Sequence, residues 1–88
     1  MKQNKTESSA QRLFRNFLMD NYDTQGPQSR MLLMTTMELL YKFRGTASLS
    51  LTEAIEVLQY IGYTSRLDAN GQITWMLYEQ HDPIEYWH

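Results

Sequence analysis

The sequence predicts a mostly α-helical α+β domain in which three helices are followed by a small β-hairpin. Two observations indicate this fold class. A capping-box pattern at Ser50 and Glu53 opens an amphipathic stretch that ends at Gly62. Directly after it, an Asn70-Gly71 pair separates two short segments that favour strands. A helix that leads straight into a hairpin therefore ends the predicted domain.

The composition is that of one small globular domain. The chain has 88 residues, of which 42% are hydrophobic and 20% charged, and its net charge is −2. Its apolar runs are far shorter than the roughly 20 residues that cross a bilayer. Residues 1–7 also lack the apolar segment of a signal peptide. We therefore expect a cytoplasmic protein that does not associate with membranes.

The first helix is predicted to begin at Thr6 or Ser8 and to end near Asn21. Four apolar residues have the spacing of its buried face: Leu13, Phe14, Phe17 and Leu18. Residues 22–28 are dense in turn formers and predict a loop. Residues 31–34 form a short apolar run, which fits either a brief strand or the first turn of a helix.

The second and third helices are predicted from their caps. Thr35 and Glu38 repeat the capping box, so the second helix begins at Thr35 and ends near Arg44 and Gly45. In the third helix, the apolar residues with the spacing of one buried face are Leu51, Ala54, Ile55, Leu58 and Ile61. Two capped helices joined by a short connection predict a helical hairpin or a helix-turn-helix.

The hairpin prediction depends on residues 72–78. Apolar and polar residues alternate there, which places Ile73, Trp75 and Leu77 on one side of a strand. If this segment were helical instead, the chain would form an all-helical bundle.

This order of elements resembles the winged helix-turn-helix superfamily. The resemblance covers residues 8–78 and is carried by the run from Thr35 to Leu40, by residues 50–62 and by the hairpin. It implies three helices plus a two- or three-stranded wing. From the sequence itself we expect a disordered N-terminus at residues 1–7 and an acidic, aromatic tail at residues 79–88. The chain looks most like the small winged domains of bacterial, phage and mobile-element proteins.

The resemblance implies double-stranded DNA binding, with the third helix in the major groove and the wing on the backbone. The predicted nucleic-acid contacts are Lys42, Arg44, Ser48, Thr52, Gln59 and Arg66. Two features oppose this function. Glu53 and Glu56 are expected to face outward on the third helix, and no Lys or Arg lies between Arg44 and Arg66. Phosphate neutralisation normally supplies much of the affinity for DNA.

The alternative is a protein–protein interaction or dimerisation module of the same fold. Aromatic residues outside a core favour packing against a second chain. The expected interaction residues are Tyr60, Tyr86 and Trp87. Their partner would be a second copy, giving a homodimer, or a larger protein.

We expect no enzymatic activity and no cofactor. The chain has no cysteine, and its Ser and Thr residues lack a base partner. His81 and His88 lie near the C-terminal end, and their spacing from Asp82 and Glu85 is too unspecific to predict a metal site. The sequence therefore predicts a non-enzymatic DNA-binding domain, regulatory or associated with mobile elements.

Overall fold

A computed structural model describes residues 7–44 and 49–80 and shows an α+β domain within them. The helices and strands of these ranges are α1 (Ser9–Asn21), β1 (Tyr22–Asp23), β2 (Met31–Thr35), α2 (Thr36–Phe43), α3 (Leu51–Ile61), β3 (Thr64–Leu67) and β4 (Ile73–Glu79). A single 3₁₀ turn, Gln28–Arg30, precedes β2. None of the helices described is long and apolar enough to cross a bilayer.

Each helix begins with a capping box, in which a hydroxyl accepts the N–H three residues on and that residue's side chain accepts the cap's own N–H. The pairs are Ser8 with Gln11, Thr35 with Glu38, and Ser50 with Glu53. The predicted starts of the second and third helices are therefore confirmed. For the first helix, the cap is Ser8 and not Thr6.

The ends of α2 and α3 lie where glycine signals predicted them. Gly62 ends α3 with φ at 106°, a left-handed conformation that glycine adopts without strain. At the end of α2, however, Arg44 takes the left-handed conformation, with φ at 49°. Gly45 lies outside the described residues. Arg44 is the one non-glycine residue of the described ranges with a positive φ.

The four strands form one antiparallel sheet with β4 at its centre. β2 pairs with β4 from Met31 opposite Tyr78 to Thr35 opposite Thr74. Because β2 occupies one edge of β4, β1 and β3 follow one another along the other edge. Leaving β1 aside, the order α1-β2-α2-α3-β3-β4 is compatible with a winged-helix layout.

The sheet decides whether residues 31–34 and 72–78 are extended or helical, and it corrects the predicted loop at residues 22–28. Residues 31–35 form a strand, and the extended β4 excludes the all-helical bundle. The loop predicted for residues 22–28 is wrong at its start, because Tyr22 and Asp23 pair with Glu79 and Tyr78. A two-residue strand is too short to show an alternating pattern in the sequence, and it is defined only by its pairing with β4.

The hairpin turn explains the Asn-Gly signal. The carbonyl of Asp68 accepts the N–H of Gly71 at 3.0 Å, and the N–H of Asp68 donates to the carbonyl of Gln72 at 2.8 Å. Gly71 has φ at 80°, as in three-residue loops that end in a left-handed residue. The Asp68 carboxylate also accepts the N–H groups of Asn70 and Gln72. The predicted hairpin is therefore confirmed.

The core lies where the helices cover the sheet. Its largest fully buried side chains are Phe14, Leu18, Leu39, Leu58, Trp75 and Leu77. A buried polar contact joins α2 to the sheet within this core: the indole N–H of Trp75 donates to the Thr36 hydroxyl at 2.9 Å. Leu13, predicted to be buried, is half exposed, because α1 turns Gln11 and Phe14 toward the core instead.

Candidate nucleic-acid interface

The outer side of α3 carries three of the predicted site residues. Thr52, Gln59 and Tyr60 are all exposed, Tyr60 by 82%. Thr52 and Gln59 are seven residues apart, so they lie on one stripe of the helix about 10 Å from each other. Tyr60 flanks this stripe. Ser48, the other residue predicted near this helix, lies outside the described residues.

The two carboxylates of α3 do not both project into solvent as expected. Glu53 accepts the N–H of Ser50 at 3.1 Å as part of the cap. Gln11 is buried between the helices, where its side-chain amide donates to a carboxylate oxygen of Glu56 at 3.0 Å and to the carbonyl of Glu53 at 3.2 Å. The outward placement of Glu56 is therefore wrong, since its carboxylate is turned toward α1.

The start of the hairpin is fixed to the end of α1 by Tyr63. This side chain is buried, and its hydroxyl donates to the carbonyl of Tyr22 at 2.8 Å. Burial raises the pKa of Tyr63 to about 12, with smaller contributions from the negative charges of Asp23 and of ionised Tyr22. The neutral tyrosine thus holds α3 and β3 in a set position relative to α1.

The hairpin presents one predicted cation and two apolar side chains. Every residue of β3 is exposed, including Arg66, and the Thr74 hydroxyl donates to the carbonyl of Arg66 at 3.2 Å. Leu67 and Ile73 pair at the loop end and are 66% and 44% exposed. Ile73 was predicted on the side of Trp75 and Leu77. It is exposed because the hairpin extends past the core there.

The predicted cations do not all meet at one place. Lys42 and Arg44 are exposed at the end of α2 and line an open cleft beside the C-terminal end of α1. Arg66, Thr52 and Gln59 are not among the described residues that line this cleft. The structure therefore brings Lys42 and Arg44 together and leaves Arg66 on a different element.

A further cation is engaged in an ion pair. Arg15 on α1 makes two hydrogen bonds to the Glu7 carboxylate, at 2.7 and 3.0 Å. This contact lowers the pKa of Glu7 and raises that of Arg15. The charge of Arg15 is thus largely offset by its own chain, whereas Arg12 is an exposed residue of the same helix.

The cleft includes four residues that were not predicted as site residues. Besides Lys42 and Arg44, its described lining consists of Phe17, Asn21, Tyr22 and Tyr41. Of these four, only Tyr41 could have been proposed from the sequence, because it adjoins the predicted contact Lys42. The others reach the cleft because α2 packs on α1 through Phe43, whose ring lies 5.2 Å from Phe14 and 5.5 Å from Phe17 between centroids.

The other predicted site residues, Tyr86 and Trp87, lie outside the described part of the chain, as do His81 and His88. Within residues 7–44 and 49–80, no three His, Cys, Asp or Glu side chains are grouped so that they could hold a metal ion.

Comparison with known proteins adds no relative: no protein-family model, no curated protein and no solved structure matches this chain.

Proposed function

We propose that this chain is a non-enzymatic winged-helix domain that binds double-stranded DNA. The observation that carries the proposal is the exposed side of α3 together with the exposed strand β3, on elements whose order is compatible with that fold. In such domains the third helix enters the major groove and the hairpin contacts the backbone. The domain would act in regulation or in a mobile element.

The side chains on this surface suit a groove. Gln59 can form two hydrogen bonds to an adenine edge, and Thr52 can bond to a base or to a phosphate. Arg66 would neutralise a phosphate from the hairpin. Glu56 lies between Thr52 and Gln59 on α3, but its carboxylate accepts a hydrogen bond from Gln11 on α1, and Glu53 caps the helix, so both carboxylates that oppose DNA binding are engaged within the chain. Lys42 and Arg44 stay predicted phosphate contacts.

A fluorescence-anisotropy titration with a labelled duplex of about 20 base pairs tests the proposal, at about 50 and 200 mM salt. We expect affinity to fall as salt rises, and Arg66→Gln to reduce the slope of log K against log salt by about 1. Gln59→Ala should weaken binding to a preferred sequence about fivefold or more. Arg12→Gln is the matched control, since it removes an exposed cation from α1.

Two results would contradict DNA binding on this surface. One is a dissociation constant weaker than about 100 μM at low salt, or an affinity that salt does not change. The other is an equal loss of affinity in Arg66→Gln and Arg12→Gln, because DNA would then be attracted by any exposed cation and not by a cation at a specific position.

A second candidate function is a protein-interaction module, favoured by the apolar end of the hairpin. Leu67 and Ile73 are neighbours there and are both exposed, and an apolar pair makes no phosphate contact. In this case the hairpin would pack against a second copy or a larger protein. Sedimentation equilibrium over a range of concentrations tests for the second copy.

We expect a dimer that the double variant Leu67→Ser with Ile73→Thr weakens. Deletion of residues 83–88 removes Tyr86 and Trp87, so it shows whether the dimer forms through the tail and not through the hairpin. A monomer at all concentrations, unchanged by either alteration, would exclude self-association through the hairpin or the tail.

A further inference from the structure

An open cleft between the C-terminal ends of α1 and α2 combines aromatic and cationic side chains. Its volume is about 430 Å³, within the range of small-ligand sites. The described residues that line it are Phe17, Asn21, Tyr22, Tyr41, Lys42 and Arg44. No carboxylate is among them.

The aromatic side of the cleft has a rigid wall and an exposed ring. Phe17 packs edge-on against Tyr22, with 6.2 Å between ring centroids, and also contacts Phe43. These contacts fix Phe17 and Tyr22 in the core. Tyr41 is 78% exposed at the rim, so a flat ligand can stack on its ring.

The charge in the cleft favours an anion. The C-terminal end of a helix carries about half a negative charge, so the ends of α1 and α2 together offset about one of the two positive charges of Lys42 and Arg44. At the end of α1, the Phe17 carbonyl already accepts the Asn21 side chain at 2.8 Å. The nearby carboxylate of Asp23 accepts a hydrogen bond from Gln80. The Asp23 carboxylate is not among the described residues that line the cleft, and the lining residues together with the two helix ends carry a net charge of about +1.

The backbone of Arg44 is a second, independent observation. Its left-handed conformation is one that residues with a Cβ rarely adopt, and it closes α2 by donating its N–H to the Leu40 carbonyl at 3.1 Å. Glycine would take this position without strain. An arginine therefore costs more than a glycine at this helix end, and its charged side chain lines the cleft.

We propose that this cleft binds a nucleoside phosphate, either a free nucleotide or the phosphate-bearing end of a single-stranded nucleic acid. Lys42 and Arg44 bind the phosphate, and the base stacks on Tyr41. Cations beside an exposed aromatic ring are the features that single-strand-binding surfaces share. This site goes beyond the proposed duplex binding, because Thr52, Gln59 and Arg66 do not line the cleft. Lys42 and Arg44 are predicted contacts in both proposals, so variants of Gln59 and Arg66 test the duplex surface alone.

Titrations of the ¹⁵N-labelled full chain with AMP, with a 5′-phosphorylated oligo(dT) and with inorganic phosphate test the proposal. We expect AMP, the oligonucleotide or both to shift the backbone amides of Tyr41, Lys42 and Arg44. A response to AMP identifies the free nucleotide as the source, and a response to the oligonucleotide alone identifies the strand end. Either result supports the site.

Variants assign the roles. Lys42→Gln and Tyr41→Ala should each weaken binding about fivefold or more, whereas Tyr41→Phe keeps the ring and should stay within about twofold. Arg44→Gly removes the charge and also the strain, so it should lose binding without any loss of thermal stability. Arg12→Gln is the control and should bind normally.

The site is overturned if none of the three probes shifts these amides, or if inorganic phosphate binds as tightly as AMP and the oligonucleotide. It is also overturned if Lys42→Gln and Tyr41→Ala bind like the unaltered chain. Failure of duplex binding is a separate result, since Arg66→Gln alters the duplex surface and leaves the cleft intact.

Discussion

The buried hydrogen bond between Trp75 and Thr36 joins α2 to the central strand, and its removal gives a measurable loss of stability. The indole N–H donates at 2.9 Å, and Trp75 is only 2% exposed, so water cannot replace a lost acceptor without opening the core. Thr36→Val keeps the shape of the side chain and removes the acceptor. Thr36→Ser keeps the acceptor and removes only a methyl group.

The expected magnitude follows from leaving a buried donor without a partner, which costs about 1–3 kcal/mol of unfolding free energy. For a domain of this size each kcal/mol moves the melting temperature by about 4–8 °C, so Thr36→Val should melt about 5–20 °C lower. Thr36→Ser loses about 0.8 kcal/mol of apolar burial and should melt above the valine variant.

Urea unfolding followed by far-UV circular dichroism measures these free energies, and NMR exchange of the Trp75 indole proton reports the bond itself. We expect protection of this proton in the unaltered chain and in Thr36→Ser, and faster exchange in Thr36→Val. Equal stability of the two variants, with an indole proton equally protected in both, would show that this hydrogen bond does not stabilise the fold.

Three further predictions concern the ends of α3 and the residue that follows it. The pKa of Tyr63 is raised from the ordinary value near 10 to about 12, so its contribution to stability is present below pH 10 and is lost as the pH rises through 12. In urea unfolding across this pH range, Tyr63→Phe should therefore lose less stability than the unaltered chain. Gly62→Ala meets no atom within 4 Å and should cost only about 1–2 kcal/mol of backbone strain, measured by thermal melting, so a neutral result would contradict its left-handed φ. Ser50→Ala removes the acceptor for the Glu53 N–H and should cost about 1 kcal/mol in the same assay, with Ser50→Thr near neutral.

Local signals predicted most of the fold because they act within a few residues. The caps at Thr35 and Ser50 and the glycines at 62 and 71 each satisfy backbone groups of their own turn, so the sequence alone locates them. The same holds for the strand at residues 73–79, whose alternation is visible. The first helix also ends at Asn21 as predicted.

Features that depend on tertiary packing were not predictable. β1 exists only because β4 extends far enough to pair with Tyr22 and Asp23. The burial of Gln11 and the exposure of Leu13 follow from how α1 is rotated against α3, and apolar spacing alone favours the reverse.

The candidate site divides in the same way. The exposed residues of α3 and the hairpin were predicted from periodicity, and Thr52, Gln59, Tyr60 and Arg66 are exposed as expected. The grouping of Lys42 and Arg44 with aromatic residues of α1 depends on the packing of Phe43, which no local pattern reveals.

We propose that the exposed side of α3 and strand β3 form one DNA-binding surface. The most direct measurement is an amide chemical-shift map of the ¹⁵N-labelled chain during titration with a DNA duplex. We expect the amides of Thr52, Gln59 and Arg66 to shift together and to saturate at one DNA concentration. Shifts confined to other elements, or none with DNA in excess, would contradict it.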